Sequence, residues 1–173
     1  MAFTLIEMLA VMAIIGLLIG LLLPSIAAVR GGATAQKTKL QLHALVTALS
    51  DYATHYGSAP DFLKNYQPVA INSVLDDFLP ALQGTDGNGA PPQQNPDNVR
   101  FYVFNRSDFD GGGRLVDASG SGEIYAMARR PNYLTIPRND FPENVRGSVP
   151  NGGVAAPFAI WSLLERNRLL TSW

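Results

Sequence analysis

The sequence contains no cysteine, and this absence excludes several classes of site. Disulfide scaffolds, thiolate-bound zinc, cysteine nucleophiles and iron–sulfur clusters all require that residue. Charge is also sparse, because charged residues make up 16% of the 173 residues and 13 basic side chains face 14 acidic ones without a basic run. Binding of nucleic acid through bulk electrostatics is therefore not expected.

Histidine is nearly as scarce as cysteine. His43 and His55 lie twelve residues apart, which is about 18 Å along a helix and too far to share one metal ion. No histidine follows residue 55, and the serine-containing segment 119–122 does not match the G-x-S-x-G nucleophile pattern. Because no nucleophile, base or ligand set is clustered, the sequence does not predict an enzyme.

A long apolar run lies near the amino terminus. Residues 8–23 read MLAVMAIIGLLIGLLL and carry no polar side chain, and the wider tract over 3–29 has Glu7 as its only charge. About 20 such residues in a helix cross the ~30 Å hydrocarbon core of a lipid bilayer. The run therefore predicts a transmembrane helix, with a cleaved secretory signal and a buried core helix as the alternatives. A carboxylate in such a helix indicates a function, unless it lies at the interface and is favoured there by the helix dipole.

Residues 30–56 continue the helix with a different pattern. Apolar side chains recur at i, i+3, i+4 and i+7, which predicts an amphipathic helix that packs one face on a head domain. Gly57 and Pro60 predict its end, and Pro24 predicts a kink farther upstream. The stripe consists of Leu42, Leu45, Val46, Leu49, Tyr52, Ala53 and Tyr56.

Residues 57–173 are rich in glycine and proline. They hold twelve of the sixteen glycines and eleven of the twelve prolines, so we expect a loop-rich α+β head whose consecutive strands are antiparallel. The predicted elements are a short helix over 72–82 capped by Asn72 or Ser73, a surface loop over 83–98, and strands over 100–104, 114–117, 123–128 and 157–163. Residues 134–153 are expected to be irregular, and the tail over 163–170 fits either a strand or a short helix.

The first residues carry a resemblance to a known family. They read FTLIEMLAV from Phe3, followed by the unbroken apolar tract and by Pro24. This pattern closely resembles the amino-terminal signature of type IV pilins and type II secretion pseudopilins, in which a prepilin peptidase removes a short leader and methylates the new amino terminus. The resemblance implies that residues 1–2 are a residual leader, cleaved between Ala2 and Phe3. It also implies that Glu7 pairs with the terminal amine of a neighbouring subunit and that Pro24 is the kinking proline.

The resemblance implies a pilin-like lollipop of the α+β class, in which a long N-terminal helix, transmembrane in its first half, packs on a small antiparallel β-sheet head. The implied function is structural, as a pseudopilin of a type II secretion filament. Its partners would be further copies, minor pilins or pseudopilins, the prepilin peptidase, the inner-membrane assembly platform and the lipid bilayer. The implied location is single-pass in a bacterial cytoplasmic membrane with the head periplasmic, and the filament would lie in the periplasm or at the cell surface. A type IV pilin of a surface pilus and a membrane-anchored binding module are the alternatives.

Asp108, Asp110 and Asp117 are the remaining site candidates. Oxygen ligands at alternate loop positions suit calcium, which some major pseudopilins bind. The loop departs from the EF-hand template, which would place Gly112 at position 5 and Ser119 at position 12. The preferred interpretation is a solvated turn without a cofactor, and calcium is the alternative.

Overall fold

The fold is α+β, with an N-terminal helix and a four-stranded antiparallel sheet. The computed structural model describes residues 5–85, 92–164 and 168–173, without the side chains of residues 22–31, 164 and 168. The chain divides into two compact units, Met1–Gln36 and Lys37–Trp173. The helices are α1 (Leu5–Tyr56), α2 (Leu75–Gln83) and α3 (Glu143–Arg146), and the strands are β1 (Val69–Ala70), β2 (Glu123–Ala128), β3 (Phe158–Leu164) and β4 (Arg168–Thr171).

Helix α1 ends where the sequence predicts, at Tyr56, because Gly57 adopts a left-handed conformation with φ of 73°. The predicted amphipathic stripe is also confirmed within the second unit. Leu42, Leu45 and Leu49 are fully buried, whereas the intervening positions on the opposite face are exposed. One face of residues 37–56 therefore belongs to the core of the head.

Polar contacts fix this part of α1 to the loops of the same unit. Gln41 donates a hydrogen bond from Nε2 to the Val116 carbonyl at 3.0 Å, and the Tyr56 hydroxyl donates to Asn95 Oδ1 at 2.7 Å. The Tyr52 ring lies edge-on to Phe101, with centroids 5.5 Å apart. These contacts are spread over four helical turns, so they fix the helix along its length.

The sheet has the order β1-β2-β3-β4, and all neighbours are antiparallel. Its centre is the β2–β3 pair, in which Tyr125 lies opposite Trp161 with the two rings stacked 5.8 Å apart. Alternate side chains of a strand face opposite sides of a sheet, and the side that carries Trp161 packs on the segment after β2. The buried cluster on that side consists of Met127, Ile136, Phe141, Val145, Val149, Val154, Ala159 and Trp161.

The strand predicted over 100–104 is wrong. Its residues belong to no strand, and the N–H groups of Phe101 and Tyr102 donate instead to the Leu82 carbonyl at 2.9 and 3.0 Å. Leu82 lies in the last turn of α2, where carbonyls lack partners within the helix. The segment thus donates hydrogen bonds to a carbonyl at the end of a helix and does not pair with the sheet.

The strand predicted over 114–117 is also wrong, since the structure has only isolated bridges there. At Leu115, the Asn72 side chain takes the main-chain groups that a strand would use. Asn72 Nδ2 donates to the Leu115 carbonyl at 3.0 Å, and Asn72 Oδ1 accepts from the Leu115 N–H at 2.8 Å. An asparagine that bonds the backbone competes with ladder formation in this way.

The same use of Asn72 explains why α2 begins later than predicted. Neither Asn72 nor Ser73 caps the helix, because the Ser73 hydroxyl donates to the Ala70 carbonyl at 2.7 Å, and the helix starts at Leu75. The strands predicted over 123–128 and 157–163 are confirmed as β2 and β3, and the tail forms β4. Residues 134–153, predicted as irregular, contain a 3-10 turn and the short helix α3.

Candidate assembly surface

The most unusual surface of the chain is the first part of α1. Every residue from 5 to 21 is exposed, and twelve large apolar side chains there are between 48% and 81% exposed. Full burial of an exposed large apolar side chain is worth roughly 2 kcal/mol. Because these twelve are only about 60% exposed on average, covering all of them would stabilise the chain by about 15 kcal/mol. A contiguous apolar surface of this kind marks a site of interaction with protein or membrane. The twelve are Leu5, Ile6, Met8, Leu9, Val11, Met12, Ile14, Ile15, Leu17, Leu18, Ile19 and Leu21.

Glu7 is the only charged residue of this surface. It is exposed and lies in the first turn of α1, where the helix dipole favours a carboxylate. Ala2 and Phe3, the predicted cleavage site, lie outside the described residues, as does the side chain of Pro24. Cleavage, the pairing of Glu7 and the kink at Pro24 therefore stay predictions. Within the described residues, no helix has an apolar stretch long enough to cross a membrane.

Asp117, one of the calcium candidates, is a buried structural carboxylate. It is fully buried, and its oxygens accept hydrogen bonds from the Gly122 N–H at 3.1 Å, from Ser162 Oγ at 3.0 Å, and from both the N–H and the hydroxyl of Ser119. A Cβ on residue 122 would collide with the Asp117 carboxylate and the Ser162 hydroxyl. Glycine at this position therefore lets the turn close on the carboxylate.

Asp108 and Asp110 each organise a local turn. Asp108 Oδ2 accepts from the Asn105 N–H at 2.7 Å, and Asp110 Oδ1 accepts from the N–H groups of Arg114 and Gly112, both at 2.9 Å. The hydrogen bond from Arg114 is the main reason that the pKa of the Asp110 carboxyl lies below its usual value. Across the described parts of the chain, no three acidic, histidine or cysteine side chains come together in a metal-binding arrangement.

A second acidic feature of the head is a surface cleft. A cleft of about 600 Å³ brings Asp61 next to Asp76 and Asp77, and Pro80, Pro92, Gln93 and Gln94 complete its lining. The two neighbouring aspartates lie on the exposed surface of α2, and Asp61 reaches them only through the tertiary fold. Lys64 Nζ lies 2.5 Å from Asp61 Oδ1 and offsets part of this charge.

The two histidines take no part in a catalytic arrangement among the described side chains. His55 Nε2 lies 2.9 Å from Asp97 Oδ2 on the surface. His43 is also exposed and lies twelve residues earlier in α1. Next to Tyr56 is a buried polar residue with no signal in the sequence, Asn95, whose amide donates to the carbonyls of Ala81 and Val99 at 2.8 and 2.6 Å. Its role is to hold a loop against α1.

The polar groups of the head thus serve mainly to build its loops, and the exposed apolar helix is the feature that calls for a partner. In comparisons with known proteins, the chain matched no protein-family model, no curated protein and no solved structure. Chemically, the helix offers apolar surface on all sides and a single carboxylate near one end. Such a surface can associate with lipid or with other helices, and the carboxylate can select the alignment.

Proposed function

We propose that this chain is a structural subunit of a pilus-like filament, of the type II secretion pseudopilin kind. Before assembly, the first half of α1 spans the cytoplasmic membrane, and the head lies outside it. In the filament, the apolar helices of many copies form the central bundle. The subunit has a structural role and catalyses no reaction.

The observation that supports this proposal best is the all-round exposure of residues 5–21. An amphipathic helix of a globular protein exposes a polar face, as residues 37–56 do, whereas a helix that is apolar on every side belongs in a membrane or in the middle of a helix bundle. The FTLIE sequence that opens this helix and the position of Pro24 add the resemblance to pilins and pseudopilins.

Glu7 gives the assembly its specificity. In the bundle, a carboxylate surrounded by apolar side chains is strongly unfavourable unless a cation binds it. The amine of Phe3, freed by removal of Met1 and Ala2, supplies that cation from a neighbouring copy. Only one stagger of the two helices brings the groups together, so the pair fixes the register of the filament.

Replacing Glu7 tests the proposal. In the cells that make the protein, Glu7→Gln leaves the amine of the neighbour buried without its partner, which costs about 3–5 kcal/mol and weakens each association step roughly 100-fold or more. We expect the variant to stay in the membrane fraction after carbonate extraction, while sheared filaments recovered by ultracentrifugation fall to background.

A matched control moves the carboxylate and keeps the composition of the helix. The double variant E7M/M8E exchanges the two neighbours and shifts the charge by one residue, about 100° around the helix, with no change in hydropathy. It should also insert in the membrane and fail to assemble. Filaments at the wild-type yield from either variant would refute the pairing.

Mass spectrometry of the mature amino terminus tests processing separately. The proposal expects the chain to begin with N-methylated Phe3. A chain that keeps Met1 in the membrane would instead have no free amine at Phe3, and the filament proposal would then fail.

A further inference from the structure

Residues 101–105 form an extended segment on the surface of the head. The rings of Tyr102 and Phe104 lie side by side with centroids 4.6 Å apart, whereas the ring of Phe101 turns the other way, toward Tyr52 of α1. Asn105 has an extended backbone, with φ of −100° and ψ of 159°. Alternation of this kind is the geometry of a β-strand.

The segment has β-strand geometry but belongs to no sheet. The peptide groups of Val103 and Phe104 form no main-chain hydrogen bond with any residue that the structure describes. The Val103 side chain is 59% exposed, and a shallow depression of about 120 Å³ beside it is lined by Gln83, Thr85, Arg100, Tyr102, Val103 and Phe104. The segment therefore offers free main-chain groups next to the exposed Val103 side chain.

Two cations bracket this stretch. Arg100 and Arg106 are both exposed and form no ion pair within the described residues. They are six positions apart, roughly 20 Å along an extended chain. The nearest acids in sequence already have partners, since Asp97 Oδ2 lies 2.9 Å from His55 Nε2 and Asp108 accepts from the Asn105 N–H. The segment thus carries positive charge at both ends and apolar side chains between them.

We propose that residues 100–106 bind an extended segment of another protein by β-strand addition. The bound segment pairs its main chain with Val103, whose N–H and C=O groups point to the same edge, places alternate apolar side chains over Val103 and the shallow depression, and carries a carboxylate at each end opposite the two arginines. A second copy of this chain does not fit, because antiparallel pairing centred on Val103 would place Arg100 opposite Arg106 of the other copy. The site is independent of filament assembly.

Binding of two short peptides to the full chain in non-ionic detergent tests the site. The fluorescein-labelled peptides EVTVTVE and KVTVTVK share strand-forming residues and differ only in the charge of their ends. In fluorescence anisotropy titrations, we expect the acidic peptide to bind at least tenfold more tightly than the basic one. The double variant R100E/R106E should invert that preference.

Variants at Val103 separate main-chain pairing from simple charge attraction. Val103→Pro removes a main-chain donor and should abolish binding, whereas Val103→Thr keeps the donor and the β-propensity and should bind as the wild type does. If Val103→Pro fails to fold by circular dichroism, an acidic peptide N-methylated at alternate residues gives the same test with an unchanged protein, and it should not bind.

Each contrary result overturns the site. Equal affinity for the two peptides, no binding of either at millimolar concentration, or full binding of the N-methylated peptide would each exclude charge-matched strand addition. A cross-link between two Val103→Cys chains that forms in the absence of peptide and blocks peptide binding would show that a second copy occupies the segment.

Discussion

Replacing Asp117 by alanine should destabilise the head more than any other single carboxylate substitution discussed above. Asp117 is fully buried, and two of its donors, the Gly122 N–H and the Ser162 hydroxyl, are themselves buried. The substitution Asp117→Ala leaves both without an acceptor. A third donor, Ser119, is exposed and can bond to water instead.

The expected magnitude follows from these orphaned groups. A buried donor without a partner costs about 1–3 kcal/mol, so two of them cost about 4 kcal/mol, part of which is offset because a charged group is no longer buried. We expect a net loss of about 3 kcal/mol for Asp117→Ala. Asp117→Asn should lose only about 1 kcal/mol, because Oδ1 can still accept from Gly122 and the Ser162 hydroxyl can reverse and accept from the new amide.

Equilibrium unfolding in urea measures the difference. The full chain in non-ionic detergent is followed by tryptophan fluorescence, to which the buried Trp161 contributes from the position next to Ser162. Asp51→Ala is the matched control, because Asp51 is exposed on α1 and its loss should stay within about 0.5 kcal/mol. The double variant D117A/S162A should be less destabilised than the sum of its single variants by about 1 kcal/mol.

Three results would refute parts of this reasoning. If Asp117→Ala unfolds within 0.5 kcal/mol of the wild type, the carboxylate does not support the turn. If Asp117→Asn is as damaging as alanine, the charge itself matters and the hydrogen-bond account is wrong. Full additivity of the D117A and S162A effects would show that the two side chains do not interact.

Three further predictions concern other parts of the head. Burial raises the pKa of Tyr52 to about 12, above its value in the unfolded chain. The tyrosine should therefore contribute about 3 kcal/mol to the free energy of unfolding below pH 10, and this contribution should be lost between pH 10 and 12. Thermal melts of the wild type and of Tyr52→Phe should differ in that pH range. Gly84→Ala should cost about 2–4 kcal/mol in urea unfolding, because φ is 78° and a Cβ would lie 2.9 Å from backbone atoms, whereas Gly111→Ala, with open space around it, should cost little. Asn72→Ala should speed hydrogen exchange at the Leu115 amide by at least tenfold, since that N–H loses its acceptor.

Features that depend on local pattern were predictable from the sequence. The end of α1 followed from Gly57, and the buried stripe followed from residues spaced at three and four positions. Strands β2 and β3 lie close to their predicted bounds because each is an apolar run flanked by turn residues. In each case the physical cause lies within a few residues.

The errors arose where a distant residue changed the outcome. Residues 100–104 have as much β-propensity as β2, but the end of α2 takes the N–H groups of Phe101 and Tyr102. Residues 114–117 lose their ladder to Asn72, which lies 43 positions away from Leu115. Propensity describes only what a segment can form, and tertiary hydrogen bonds decide what it does form.

The composition of the candidate surface can be read from the sequence for the opposite reason, because it depends on local residues alone. The identity of Glu7 and the apolar character of residues 5–21 are visible in the sequence, and the structure adds that the helix exposes them on every side. The acidic cleft was not predictable, since Asp61 meets Asp76 only in the folded head.

Residues 5–21 and residues 37–56 of α1 differ in how their apolar side chains are distributed around the helix. This difference limits which kind of partner can bury the side chains of residues 5–21. Residues 37–56 expose a polar face, so one neighbouring surface is enough to bury their stripe. Residues 5–21 are apolar on all sides, and pairing with a single helix would cover only the narrow seam of a coiled coil. Most of the twelve large side chains would stay in water. A simple dimer is therefore a poor solution, and the surface requires an environment that surrounds the helix. A bilayer or a bundle of several copies does so, and in a bundle Glu7 is the one residue of this surface whose partner must be charged.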